Sequence, residues 1–254
     1  MKKLVIIKTG STFPSIREKY GDFEEQMISL LPSADDVAVI PAESALPDNL
    51  GNLAGVIITG SHAMVTDYPD WSMALIHWVR RLRSLPMPVL GICYGHQLLA
   101  EAFGGKVDYH PGGEEIGTVQ ISLTPAGRRD ELMGVLPEVF SGHVSHSQTV
   151  VKLPPDAKLL AQNEFDPHHA YVIDSHIWGV QFHPEFNAGI VGMYIEHDRK
   201  NLQQSGRNVD MLLNGVKDHT DGKALLLQFW RLVQGRNGSY PETGNLTWRK
   251  HTLQ

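Results

Sequence analysis

The chain's single cysteine, Cys93, sits in Gly91-Ile92-Cys93-Tyr94-Gly95. An apolar run ending in Val89-Leu90 precedes it, and a helix-like run from His96 to Phe103 follows and stops at Gly104-Gly105. Strand, sharp turn and helix in that order form the context of a nucleophile elbow. Small residues at 91 and 95 let the two backbones approach, and the turn lifts the side chain between them into the open. At a helix N-terminus, unpaired N–H groups and the helix dipole favour thiolate over thiol. The Tyr94 N–H points where an oxyanion would form. A lone cysteine is otherwise a small buried hydrophobe; the paired glycines argue against that reading here.

A base is offered by Gly179-Val180-Gln181-Phe182-His183-Pro184-Glu185. Pro184 biases His183 to an extended conformation. In an extended segment residues two apart point the same way, so Glu185 can orient the imidazole and stabilise its cation. Taken alone, His-Pro-Glu also fits a structural histidine in a turn. Beside the elbow it completes a nucleophile, base and orienter: Cys93, His183 and Glu185.

The elements that must position these groups are legible as short apolar runs. Leu4 to Ile7, Val37 to Ile40, Gly55 to Ile58 and Pro88 to Ile92 read as buried strands. Helical segments are expected between some of them, over Ser15 to Leu31 and over Trp71 to Arg83, where Trp71, Leu75, Trp78, Val79 and Leu82 share a face. That alternation predicts an α/β fold, a mainly parallel sheet flanked by helices, with the site over the strand ends. From Val119 to Phe182 shorter β-prone pieces (Thr118 to Leu123, Val150 to Leu153, His169 to Ile173, Ile177 to Phe182) predict an extension of the sheet and a small antiparallel addition. Beyond Phe186 the chain reads as helical, with Leu226, Leu227, Phe229, Trp230 and Val233 suited to docking on the body. We expect a catalytic domain over 1–200 and a packed helical extension over 201–254, its tail after Gln234 loosely ordered.

The 254 residues, 42% hydrophobic and carrying a formal charge of −6, suit one core and give no electrostatic reason for a nucleic-acid partner. One cysteine permits no intramolecular disulfide. The start at Met1-Lys2-Lys3 runs into a strand rather than a signal core, and no run is long enough to span a bilayer. A soluble protein of a reducing compartment such as the cytoplasm is expected, with no membrane partner. Thirteen histidines invite a metal reading, above all His143, His146, His168, His169 and His176. Strand residues three apart, such as His143 and His146, face opposite sides, and no cysteine or acidic grouping completes a site, so neither metal nor cofactor is expected. Thr9-Gly10-Ser11-Thr12 reads as a turn and helix cap rather than a phosphate cradle, and Asn237-Gly238-Ser239 as an unused glycosylation pattern.

The phrases Gly91-Ile-Cys-Tyr-Gly-His-Gln-Leu-Leu-Ala100 and Gly179-Val-Gln-Phe-His-Pro-Glu185 together resemble the class I (triad-type) glutamine amidotransferases. The resemblance runs from about Val37 to Phe186, through Phe103-Gly-Gly-Lys-Val107 and Glu115-Ile116-Gly117, and is nearest to stand-alone versions of the glutaminase domain of GMP synthetase. It implies attack of Cys93 on the side-chain amide of glutamine or a related γ-glutamyl compound, and a γ-glutamyl thioester. It implies an oxyanion hole from the N–H groups of Ser61 and Tyr94, and substrate binding by Gly60, Gln97, Ser145, His146, Ser147 and Gln148. The chain departs from the family at Ser61-His62, where Gly-Pro is usual, and at Ser147 and Gln148, where relatives often carry Gly and Asp. These departures bear on which γ-glutamyl compound fits. The small-molecule substrate could be cleaved freely, or its ammonia passed to a separate synthetase in trans. The rivals are an idle binding module of the same fold, which would have lost a triad member, and a cysteine α/β-hydrolase, in which the acid precedes the histidine.

Overall fold

Alternate residues of the central strands face opposite sides, and the sequence makes both sides apolar. In the computed structural model, which describes residues 2–236, strand β1 (Lys3–Lys8) turns Leu4 and Ile6 to one core cluster and Val5 and Ile7 to another. Strands β2 (Val37–Pro41), β3 (Leu53–Ile58) and β4 (Val89–Ile92) follow. The first cluster is covered by α1 (Pro14–Tyr20) and α2 (Phe23–Leu30), the second by α3 (Asp70–Leu82) and α4 (Tyr94–Ala102). Such two-sided burial is the condition for a parallel sheet.

The remaining strands are β5 (Lys106–Tyr109), β6 (Glu115–Leu123), β7 (Val139–His146), β8 (Gln148–Lys152), β9 (Lys158–Gln162), β10 (Ala170–Ile173) and β11 (Ile177–Val180). Nine strands form one sheet in the order β2-β1-β3-β4-β11-β10-β9-β6-β7. It is parallel from β2 through β11 and antiparallel from there to β7, while β5 and β8 pair in a separate antiparallel ribbon. The strand order reverses beside β1, so a crevice opens at the C-terminal ends of β1, β3, β4 and β11.

Four helices follow the last strand among the described residues: α5 (Ala188–His197), α6 (Arg199–Gln204), α7 (Val209–Gly215) and α8 (Asp221–Arg236). Leu225, Leu226, Phe229, Trp230 and Val233 of α8 are buried in the first cluster; Leu227 is only half-buried. The start of α8 backs the His-Pro-Glu turn directly: a Cβ at Gly222 would lie 2.4 Å from the Pro184 carbonyl oxygen. No described helix is long and apolar enough to cross a membrane.

Several expectations need correction. The segment Ser15 to Leu31 is two helices, because Gly21 turns at φ 82° and Asp22 opens α2 with a capping box completed by Glu25. The β2 run is a half-exposed edge strand rather than a buried one. Strands β5, β7 and β9 were not anticipated. The Thr9 to Thr12 turn does not cap α1, whose N-cap is Phe13; Thr9 instead bonds the Thr59 and Gly60 carbonyls, tying the β1 and β3 ends together. Trp78 is buried on α3 as expected, with Trp71 partly so. The tail beyond 236 and the Asn237 pattern lie outside the described residues.

A tight constraint sits at the elbow. A Cβ on Gly95 would stand 2.4 Å from the Ile58 carbonyl oxygen, and one on Gly91 would stand 2.4 Å from that of Gly95. Both obstacles are backbone atoms and cannot rotate away. Gly95→Ala should therefore destabilise by about 3 kcal/mol, at the upper end of overpacking costs, seen as a lower denaturant midpoint at unchanged slope.

Candidate active site

Cys93 has φ 50° and ψ −101°, a conformation that costs a non-glycine residue about 1–3 kcal/mol. It is held by the hydrogen bond from its N–H to the Val180 carbonyl of β11, at 2.9 Å, and by the first turn of α4, where Gln97 N–H donates to its carbonyl at 3.1 Å. The side chain so placed is not in the open as expected but buried, 6% exposed, at the C-terminal end of β4. Its sulfur lies 3.9 Å from the Ser145 carbonyl.

His183 lies three residues beyond the end of β11, its N–H bonded to the His143 carbonyl at 2.8 Å. Its Nδ1 meets Glu185 Oε1 at 2.8 Å, with both residues 4% exposed, and its ring stacks on Phe186 with centroids 4.0 Å apart. The imidazole and the Cys93 side chain both lie against Gly60. Gly60 closes the group: a Cβ there would be 2.8 Å from His183 Cε1 and 3.7 Å from Cys93 Cβ. A side chain at 60 would displace the imidazole.

Burial alone would push the Cys93 thiol up, but the charge and hydrogen bond of His183, aided by His146, outweigh it and lower the pKa. Burial likewise opposes charge on His183, and the negative charges of Glu185 and Cys93 overcome it, lifting the imidazole to about 10. A thiolate–imidazolium pair at neutral pH is the outcome. Such a pair can attack an electrophilic carbon and then protonate a leaving group.

The two backbone N–H groups expected to serve an oxyanion belong to the start of α4 and to the loop after β3. Tyr94 is the first residue of α4, so its N–H has no acceptor within the helix. The Ser61 loop is fixed by its own hydroxyl, which donates to the Thr9 carbonyl at 3.0 Å and accepts from Ala63 N–H at 3.1 Å. The Tyr94 hydroxyl is tied to Ser72 on α3 at 2.7 Å.

The expected substrate-gripping segment splits by strand alternation. Ser145 and Ser147 are half-buried and line a cleft of about 420 Å³ with Ser61, His62, Phe13, Met64, Glu114, Ile116, Tyr194, Asp198 and Asn201. His146 and Gln148 are buried and bonded inward, away from that lining. Gln148 accepts from Val65 N–H at 3.1 Å and donates to Thr66 at 2.6 Å, bracing the loop after β3. Gln97 is buried, and its amide nitrogen donates to the Gln148 carbonyl at 2.7 Å and to Gln181 at 3.0 Å. Glu114, Tyr194 and Asp198 were not anticipated. The Glu115-Ile116-Gly117 phrase lay one residue from Glu114 in sequence, but nothing local signals α5. Burial and the neighbouring Asp198 charge raise the Glu114 carboxyl to about 7.

The metal reading also needs revision. An acidic partner does join two of the histidines: atoms of Glu115, His146 and His169 lie within 4.8 Å of one another. Glu115 comes from β6, far from both in sequence. Its Oε2 is in direct contact with the two imidazoles, 2.9 Å from His146 Nε2 and 3.1 Å from His169 Nε2, so the trio reads as an ion pair.

With the geometry in place, comparison with known proteins identifies the fold and lineage. The class-I glutamine amidotransferase family model matches residues 17–200. Gamma-glutamyl peptidase 4 of Arabidopsis thaliana is 30% identical over 203 residues, covering 75% of this chain and 78% of that protein. A GMP synthase (glutamine-hydrolyzing) of Aeropyrum pernix is 36% identical over 149 residues, 58% of this chain but only 27% of the synthase. Among solved structures, a glutamine amidotransferase of Methylobacillus flagellatus superposes with a TM-score of 0.74 at 22% identity, covering 98% of this chain and 100% of that one. One from Thermotoga maritima gives 0.73 at 19% identity, covering 92% and 99%. The chain belongs to the class-I glutamine amidotransferase family.

Proposed function

We propose that the protein is a cysteine-dependent amidohydrolase that cleaves γ-glutamyl amides through a γ-glutamyl thioester on Cys93. The observation that carries this reading is the Cys93 thiol, paired with a His183 imidazole that Glu185 orients, near a cleft of about 420 Å³. The likeness to a gamma-glutamyl peptidase over three-quarters of the chain supports it.

In this mechanism the Cys93 thiolate attacks the γ-carbonyl carbon, and the resulting oxyanion is held by the N–H groups of Ser61 and Tyr94. His183 gives its proton to the leaving nitrogen, the C–N bond breaks, and ammonia or an amine departs. His183, now neutral, takes a proton from water. The hydroxide equivalent adds to the thioester, the C–S bond breaks, and glutamate and the thiolate are released. Glu185 keeps Nδ1 protonated so that Nε2 does this work. Ser145 and Ser147 face the γ-glutamyl portion, while Glu114, Tyr194 and Asp198 face what lies beyond.

The likeness to GMP synthases supports a second reading, in which ammonia is passed to a separate synthetase. Release of ammonia, amine and glutamate from glutamine, γ-glutamyl peptides and γ-glutamyl amines separates the two. Efficient Cys93-dependent turnover of a peptide or amine over glutamine supports the free-standing hydrolase. Weak glutaminase activity that rises on adding a synthetase supports the supplier, and no turnover under either condition contradicts both. Cys93→Ala should abolish hydrolysis. His183→Ala should cost about 10²–10⁴-fold in kcat, and Glu185→Gln should cost less while leaving Cys93 open to alkylation.

The cleft also carries a pH signature. Glu114 is raised to about 7, so it is neutral below that value and becomes charged as pH rises through it. A γ-glutamyl amide with a cationic leaving group should therefore show a KM that falls as pH rises through about 7, while a neutral alkylamide should not. Glu114→Gln should remove that difference; equal pH dependence for both substrates in the wild type would contradict it.

A further inference from the structure

His146 was expected to touch substrate, yet it is 5% exposed and both ring nitrogens point into the protein. Nδ1 lies 3.0 Å from the Gln148 backbone carbonyl, which can only accept, so Nδ1 must carry a proton. Nε2 lies 2.9 Å from Glu115 Oε2. Whether Nε2 is also protonated depends on whether Glu115 is ionised, and its surroundings decide that. Glu115 Oε1 accepts from Asn163 Nδ2 at 2.7 Å. The Asn163 amide cannot be reversed, because its Oδ1 takes the N–H groups of Phe165 and Asp166 at 2.9 Å and 2.6 Å. The other carboxylate oxygen has His169 Nε2 at 3.1 Å as well as His146. The proton shared between Oε2 and Nε2 belongs to the imidazole, the stronger base by about two pKa units, and the Asn163 N–H on Oε1 favours the carboxylate further.

With an acceptor on each nitrogen, the ring is left one state. We propose that Glu115 and the Gln148 carbonyl hold His146 as an imidazolium at neutral pH, and that this buried positive charge acts as a positioning element keeping Cys93 as thiolate. The path is short: His146 follows Ser145, whose carbonyl faces the Cys93 sulfur. Burial opposes the charge, but Glu115, Asp166 and Cys93 together raise the His146 pKa, and Glu115 is lowered in turn against its own burial by the hydrogen bonds of His146 and His169.

The other ionisable groups facing His146 are compatible with this state. Asp166 is negative and tied to Thr149 at 2.5 Å; burial works against it, and the charges of His169 and His146 hold its pKa down. Glu114 on the cleft side also senses His146. His96 beneath is kept neutral, burial pushing it down to about 3. His183 exerts the larger favourable effect on the Cys93 thiolate, and His146 adds a smaller one. One role follows for each: His183 exchanges protons during turnover, whereas the His146 charge stays fixed.

The test reads the thiol and the ring directly and needs no substrate, so it stands or falls separately from the γ-glutamyl reading. Nitrogen NMR of histidine-labelled protein should give His146 as a doubly protonated ring at neutral pH. The midpoint of Cys93 alkylation against pH, taken in the whole chain, should move up by about one pH unit in Glu115→Gln. Glu115→Asp should restore it in part. Should Glu115→Gln fold poorly, the Glu115→Gln/His146→Gln pair, which removes both members of the ion pair, should show the same upward move. A neutral His146 tautomer, an unchanged midpoint in a folded variant, or a stoichiometric metal ion bound at these three residues would each overturn the proposal, since an imidazolium cannot ligate.

Discussion

The structure depends most on one strained residue. Cys93 occupies a backbone conformation that L-residues avoid, and it does so because β4 must hand over to α4 without room for a gradual turn. Gly91 and Gly95 are the only side chains small enough for that handover, each meeting a backbone carbonyl at a distance no Cβ tolerates. The strain is balanced by the surroundings: β11 bonds the Cys93 N–H, the buried face of α4 packs into the core, and Tyr94 is pinned to Ser72.

Three strand ends then do the rest. β3 delivers Gly60 and Ser61, β4 delivers Cys93, and β11 delivers His183, all at the reversal of strand order. The imidazole is confined on four sides, by Glu185, Phe186, the thiol and the bare backbone of Gly60. Confinement of that kind is what lets a buried ion pair persist, since each charge keeps a partner and removing one would strand the other. Fixed electrostatics at the thiol, and a cleft with its own carboxylates beyond it, divide the labour between bond cleavage and selection of what is cleaved.

Much of this was legible in the sequence where physical constraint is local. The glycine-framed cysteine and the extended His-Pro-Glu each encode geometry within a few residues, and the two-sided apolar runs of β1 and β3 announce a buried parallel sheet. Strand β7 was illegible because its Ser141, His143, Ser145 and His146 look polar. Their partners come from the Asp221, His219, Glu114 and Glu115 regions, which only the fold brings near. Residues 145 to 148 were read as one gripping unit, although alternation along an extended chain already separates Ser145 and Ser147 from His146 and Gln148. The cleft wall from α5 could not be foreseen, because Tyr194 and Asp198 sit in a helical stretch with no motif of its own.

The central claim is that a γ-glutamyl group is carried on Cys93 during turnover. The most direct measurement is rapid mixing of the protein with a γ-glutamyl amide, an acid quench within the first turnover, and mass analysis of the peptide containing Cys93. The account predicts a burst of released amine or ammonia matched by one glutamyl acyl group on that cysteine. Amine release with no burst and an unmodified Cys93, continuing after Cys93 has been fully alkylated, would contradict it.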